Sequence, residues 1–293
     1  MDAFWIILTG SLVALSCALL GSFLLVRQMT MVADAISHAV LPGIVLAYLA
    51  SQSRASLPML IGAALFGVLT TILIELLSKY GRLQTDASIG ISFTWMFAIG
   101  VILISLFAGR VDLDQDCVLY GEIAFVPLDT WILGNGASMG PRTVWLLAGL
   151  LVFVLLFVII SYKALIITSF DPLLAASLGI STVFWHYALM SLVSLTTVFS
   201  FEAVGAILVM AFIVGPPATG FLISRKLPVI MGIACVAGVV AAIAGYFLAL
   251  ATDGSIAGAM ATVIGLEFLL TFLSIPLLKK FTKKPGEEPH FAG

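Results

Sequence analysis

Apolar runs of about twenty residues, each closed by a short charged or turn-forming stretch, recur from one end of the chain to the other. They are continuous, with neither strand-like alternation nor a polar stripe at helical spacing. A helix needs roughly 20 such residues to cross a bilayer. The runs predict helices at about 4–26, 33–50, 57–78, 88–108, 143–163, 184–200, 203–223, 228–251 and 255–278. The run at 203–223 contains Gly215, Pro216 and Pro217, so its helix is expected to bend or break there. Because the 184–200 run is short, eight and nine crossings both fit. The predicted fold is all-α, a polytopic transmembrane helical bundle in one domain over 1–278 with a tail at 279–293.

Composition agrees. Of 293 residues 62% are hydrophobic and 10% charged, and mean hydropathy is +1.22. A soluble domain carries roughly 25% charged residues, so too little polar surface is present to coat a globule. The net charge of −2 offers nothing to nucleic acid, and its distribution matters more than its sum. Arg27, Lys79, Arg82, Lys163, Arg225, Lys226, Lys279, Lys280, Lys283 and Lys284 fall on one side, leaving Arg54, Arg110 and Arg142 for the other. Basic residues concentrate on the cytoplasmic side, which predicts a cytoplasmic C-terminus and, with nine crossings, an external N-terminus. Cys17, Cys117 and Cys235 are odd in number and scattered, so they read as packing residues and not as a disulfide framework. The piece VALSC ending at Cys17 faintly resembles a lipoprotein cleavage site. No basic residue precedes it, however, and a retained first span is the expectation.

Two loops carry information. The external stretch 109–142 is long, acidic and partly apolar, and its residues 117–126 fit either a short helix at the membrane surface or a solvated loop. The cytoplasmic stretch 163–181 holds a short helical signal: Asp171 as N-cap, Pro172 at the first helical position, Gly179 as stop. Leu173, Leu174 and Leu178 give that helix an apolar face. It is too short to span and too apolar to sit alone in water, so a cytoplasmic partner is expected. The small residues Gly232, Ala234, Gly238, Ala241, Ala242 and Gly245 predict close packing of the 228–251 helix within the bundle.

Ionisable groups inside lipid cost a few kcal/mol or more, which makes each a candidate functional site. Asp34 and His38 are four apart and so share one helix face. A carboxylate and an imidazole on adjacent turns can grip one divalent transition metal, and this donor set suits Mn²⁺, Fe²⁺ or Zn²⁺ better than Mg²⁺, Ca²⁺ or copper. Two ligands are too few for a tight site, but a symmetric dimer would bring four to its axis. Alternatively Asp34 could cap a helix beginning at Ala35, helped by Ser37, with His38 a packing residue. Glu267 falls mid-span, Glu202 and Asp86 sit near helix ends where capping fits, and His186 reads as structural. The chain has no P-loop, no H-E-x-x-H and no G-x-S-x-G, and nothing pairs a nucleophile with a base, so an enzyme is not expected.

The segment VRQMTMVADAISHAVLPGIVLAYL (26–49) resembles the signature second segment of the membrane permease subunits of bacterial ABC importers for manganese, zinc and iron. TDASIGISF (85–93), LITSFDPLLAASLGI (166–180) and EAVGAILVMAFIVGPPATGFLIS (202–224) extend the similarity in the family's order over nearly the whole chain. Thr30 stands where that family has Ser, and Val32–Ala33 where it has Met-Gly. Residues 112–125 resemble one of two sister permease types, so a heterodimer is open beside a homodimer.

The resemblance implies an importer permease fold related to the vitamin B12/siderophore type, in the bacterial cytoplasmic (inner) membrane. It implies a second permease subunit, a cytoplasmic ATP-binding subunit that hydrolyses the ATP, and an extracytoplasmic metal-binding protein. The metal is cargo and no permanent cofactor is implied. The family's ligand pair falls on Asp34 and His38, and its ATPase coupling helix on Phe170, Asp171, Pro172, Leu173, Leu174, Ala175, Leu178 and Gly179. Pro216 and Pro217 are a candidate hinge. The competing expectation is a proton- or sodium-coupled secondary metal transporter with Asp34, His38 and Glu267 as its relay.

Overall fold

The computed structural model describes residues 2–51, 56–107, 123–132 and 138–282. Among them are ten α-helices: α1 Asp2–Val26, α2 Met31–Ser51, α3 Ser56–Lys79, α4 Thr85–Phe107, α5 Arg142–Phe170, α6 Pro172–Ser177, α7 Thr182–Val204, α8 Ala206–Ile223, α9 Leu227–Thr252 and α10 Ile256–Thr282. All but α6 are long and apolar enough to cross a membrane, so nine crossings fit, not eight. A 3₁₀ turn at Ile123–Leu128 and a small antiparallel hairpin, β1 Thr130–Ile132 with β2 Ser138–Pro141, lie between α4 and α5. Of residues 117–126, for which a surface helix and a solvated loop both fitted, 117–122 lie outside the described set, and 123–128 form the 3₁₀ turn with Ile123 and Val126 buried. The hairpin closes over the start of α1, where Gly140, at φ +85°, lies against the Trp5 ring.

The last carbonyls of a helix have no intrahelical donor and need another partner. Four helices stop on a left-handed residue: Gln28 after α1, Arg82 after α3, Gly179 after α6 and Asp253 after α9. That turn folds the next N–H back onto the last carbonyls, as in Met29 N to Leu24 O at 2.9 Å and Ile180 N to Ala175 O at 2.9 Å. Between α7 and α8 the chain turns on a single residue, Gly205, at φ 80° and ψ 160°, a conformation essentially restricted to glycine.

The helices pack as two groups. In one, α1 lies against α5, α8 and α9, with α10 behind α8 and α9; in the other, α2 lies against α3 and α4, and α7 joins the groups. Val13, Ala14, Cys17 and Phe23 of α1, Met190 of α7 and Phe212 of α8 are fully buried. Cys17 is thus a packing residue, as expected. Small residues set the closest approaches: Gly43 of α2 meets Gly62 of α3, Gly238 of α9 meets Ala14, and Gly245 meets Met260. The small-residue run of α9 is bundle packing, although Gly232 faces open space.

The helix α8 continues through Pro216 and Pro217, both buried. The chain does not break there, and the break comes at Gly205 instead. Two prolines leave the carbonyls of Phe212 and Ile213 without their usual helical donors, and Gly21 of α1 packs directly on the Ile213 carbonyl and the Pro217 ring. A Cβ on Gly21 would overlap that carbonyl oxygen. Gly21→Ala is therefore expected to destabilise the bundle by about 1–3 kcal/mol, read as a lowered unfolding temperature in detergent; an unchanged temperature would show that α1 and α8 can separate freely.

Candidate functional site

Helix α2 begins at Met31, so Asp34 lies inside its first turn and cannot be the cap of a helix starting at Ala35. Ser37 does not cap either, since its hydroxyl donates to the Asp34 backbone carbonyl at 2.6 Å. The side chains of Asp34 and His38 do share one face, with Oδ1 and Nε2 3.9 Å apart. That is too long for a hydrogen bond. It leaves room for one ion between the two donors, to which bonds of about 2.0–2.2 Å are usual. The His38 ring is steadied by Phe93 and Phe97 of α4, at centroid distances of 5.3 and 5.9 Å. Beside it a cavity of about 20 Å³ is lined by Leu41, Phe97, Phe201 and Ala206, next to the Gly205 turn.

In the single chain this pair is open, with 45% of the Asp34 side chain and 36% of His38 accessible. A carboxylate facing lipid is costly, so this face suits contact with water or with a second protein body. Among the described residues no group of three or more His, Cys, Asp or Glu could hold a metal within one chain.

The segment 170–179 forms the short capped helix that its end signals predicted. Phe170 ends α5. Asp171 then caps α6, its Oδ1 accepting from Leu174 N at 2.9 Å, with Pro172 in the first turn. Gly179, at φ +76°, closes the other end. Ala175 is buried against the bundle, whereas Leu173 is 85% exposed and Phe170, Leu174 and Leu178 are exposed as well. A capped six-residue helix thus presents apolar side chains away from its own fold.

Residues 3–275 match the profile of a single family, described as the ABC 3 transport family. The chain belongs to that family. Among its curated relatives within the ABC transporters, the manganese transport system membrane protein MntD of Bacillus subtilis is 46% identical over 280 residues, covering 96% of this chain and 94% of MntD. The zinc transport system membrane protein TroD of Treponema pallidum is 42% identical over 276 residues, covering 92% of this chain and 73% of TroD. Among solved structures, PsaBC from Streptococcus pneumoniae in complex with Fab superposes with a TM-score of 0.75 at 28% identity, covering 94% of each chain. The bundle is that of an ABC permease.

The remaining candidates of this ABC 3 chain fare differently. Glu267 finds no partner: both its carboxylate oxygens are buried without a hydrogen bond among the described residues. Glu202 lies within the last turns of α7, ahead of Gly205, and is not a cap, since Gly205 holds that position. Asp86 is in the first turn of α4, where the helix dipole favours a carboxylate. His186 is not isolated, because its Nε2 lies 3.9 Å from Oε2 of Glu75 on α3. Glu75 escaped the reading of the sequence. The signal was present: a carboxylate within the apolar run ILIELL passes the same test that singled out Asp34.

Proposed function

We propose that this chain is the membrane permease of an ATP-driven importer that moves a divalent transition metal, Mn²⁺, Zn²⁺ or Fe²⁺, into the cytoplasm. The observation that carries this reading is the exposed Asp34–His38 pair, with its donors 3.9 Å apart on one face of α2. The relatives named for manganese and zinc transport support the cargo class. Two copies, or one copy and a related permease, bring their pairs together, turning two ligands into four and removing the carboxylates from lipid.

The basic end of the bundle, where Arg27, Lys79, Arg225 and Lys226 gather, faces the cytoplasm. There α6 docks on the ATP-binding subunit. An extracytoplasmic binding protein delivers metal to the opposite end, where the hairpin and the 3₁₀ turn lie. Nucleotide-driven closure of the ATPases moves α6, tilts the bundle and opens the shared site inward. Pro216 and Pro217, with two carbonyls freed from helical bonding, are the flexing point in α8.

The test is uptake into proteoliposomes that hold the permease with and without its ATP-binding subunit. Metal accumulation is expected only with the ATPase and internal ATP, and it is expected to persist in the presence of an uncoupler. Uptake by the permease alone that collapses with an uncoupler would overturn this reading in favour of ion-coupled transport.

A further inference from the structure

The pairing of Glu75 with His186 is a second carboxylate–imidazole arrangement, separate from the one on α2. Its two members come from different helices, α3 and α7. The Oε2–Nε2 distance is 3.9 Å, the same as that between Asp34 and His38. The Glu75 carboxylate is divided in its duties. Oε1 is paired with Lys79, one turn further along α3, Tyr187 supplies a hydrogen bond to the carboxylate, and Oε2 is buried beside the His186 ring. The His186 Nε2 is too distant to donate to Oε2.

Both residues line a cavity of about 850 Å³ at the basic end of the bundle. Gln84, Thr85, Asp86 and Ser169 also line it and add oxygen donors. Its charges nearly balance: Arg27 and Lys79 face Glu75 and Asp86. Arg27 is turned to the α5 hydroxyls, donating from Nε to Ser169 at 2.8 Å and from Nη2 to Thr168 at 3.0 Å. Lys79 has a largely exposed side chain and approaches Glu75 from the solvent side. Tyr187, next to His186, also interacts with this carboxylate.

We propose that Glu75 and His186 form a second divalent transition-metal site, internal to each permease chain. Imidazole nitrogen and carboxylate oxygen, with no thiolate among the lining residues, select Mn²⁺, Fe²⁺ or Zn²⁺ over Ca²⁺, Mg²⁺ or monovalent copper. Two protein donors completed by water in a roomy cavity make a site of modest affinity, and the two nearby cations weaken it further. Its position gives it a consequence. Pro172 of α6 and Thr182 of α7 line the same cavity, so an ion joining α3 to α7 fastens the flank of the segment that bears α6. The site senses metal at the basic end and biases the position of the coupling helix. It depends on its own two donors and not on Asp34 or His38.

The experiment measures Mn²⁺, and in parallel Zn²⁺, bound to the purified permease in nanodiscs by equilibrium dialysis, with each variant matched for elution volume and unfolding temperature. In an Asp34→Ala/His38→Ala background one ion per chain is expected to remain. Adding Glu75→Gln or His186→Gln is expected to weaken its binding at least about tenfold. Lys79→Met, which frees Oε1 from its ion pair, is expected to tighten it. Absence of binding in the Asp34→Ala/His38→Ala protein would overturn the proposal, as would binding indifferent to Glu75→Gln and His186→Gln. Tightening by Lys79→Met distinguishes a ligating carboxylate from a merely structural one, and unchanged affinity there counts against ligation. Because the measurement is binding in a background without the α2 pair, its failure leaves the Asp34–His38 reading untouched, and loss of uptake on changing that pair leaves this one untouched.

Discussion

Asp34→Ala and His38→Ala, each made alone in a reconstituted importer, are expected to abolish metal uptake while the protein still inserts and assembles. The two donors sit 3.9 Å apart and are partly open in the single chain, so neither change creates a buried cavity and neither removes a cap. Loss of one donor leaves a two-ligand pair with one. Even changes in groups that only orient ligands commonly cost 10–100-fold in affinity, and removal of a ligand itself is expected to cost more than about tenfold. The measurement is radiolabelled metal accumulation against the amount of assembled complex. Normal accumulation in both variants would show that the pair is not on the metal's route.

The second large effect is expected at α6. Leu174→Asp should abolish co-purification of the ATP-binding subunit without unfolding the permease. Leu174 is exposed in the permease by itself, so a carboxylate there is solvated and harmless until a partner tries to cover it. An unpaired charge buried at such a contact costs several kcal/mol, comparable to the largest single-residue contributions to an interface. Leu173 and Leu178 lie on the same exposed surface, and the buried Ala175 is the position at which a similar change would instead damage the fold. Retention of the ATPase by Leu174→Asp would refute the docking role of this helix.

Much of this architecture could be read from the chain because lipid imposes a simple rule. Continuous apolar runs had to become helices, and the runs at 57–78 and 228–251 coincide with α3 and α9 to within a residue or two. Ends were harder wherever the apolar run outlasted or fell short of the helix. The fifth long helix continues past Lys163 to Phe170, since nothing before Asp171 and Pro172 disrupts its backbone. The joint between α7 and α8 was placed near Glu202 because a charge looked like a boundary, whereas it is the positive φ of Gly205 that turns the chain. Conversely, Pro216 and Pro217 looked like a break but are accommodated, with Gly21 packed against the freed carbonyl.

The candidate sites follow the same division. Asp34 with His38, and Asp171 with Gly179, are local patterns governed by helical spacing and end geometry, and both were visible as sequence. Glu75 with His186 is a tertiary pair, brought together only by the packing of α3 on α7. No spacing along the chain announces it.

Arg27 ties the end of α1 to the end of α5. Burial lowers the Arg27 pKa to about 10, which leaves its guanidinium charged at neutral pH, yet the groups it grips are the neutral hydroxyls of Thr168 and Ser169. It thereby buckles the turn leading into α2 to the stem that carries α6. A carboxylate in their place would have made a lock, whereas hydroxyls make a clasp that water can replace at little cost. Such a clasp joins the turn ahead of α2 to the end of α5 without fixing the two together.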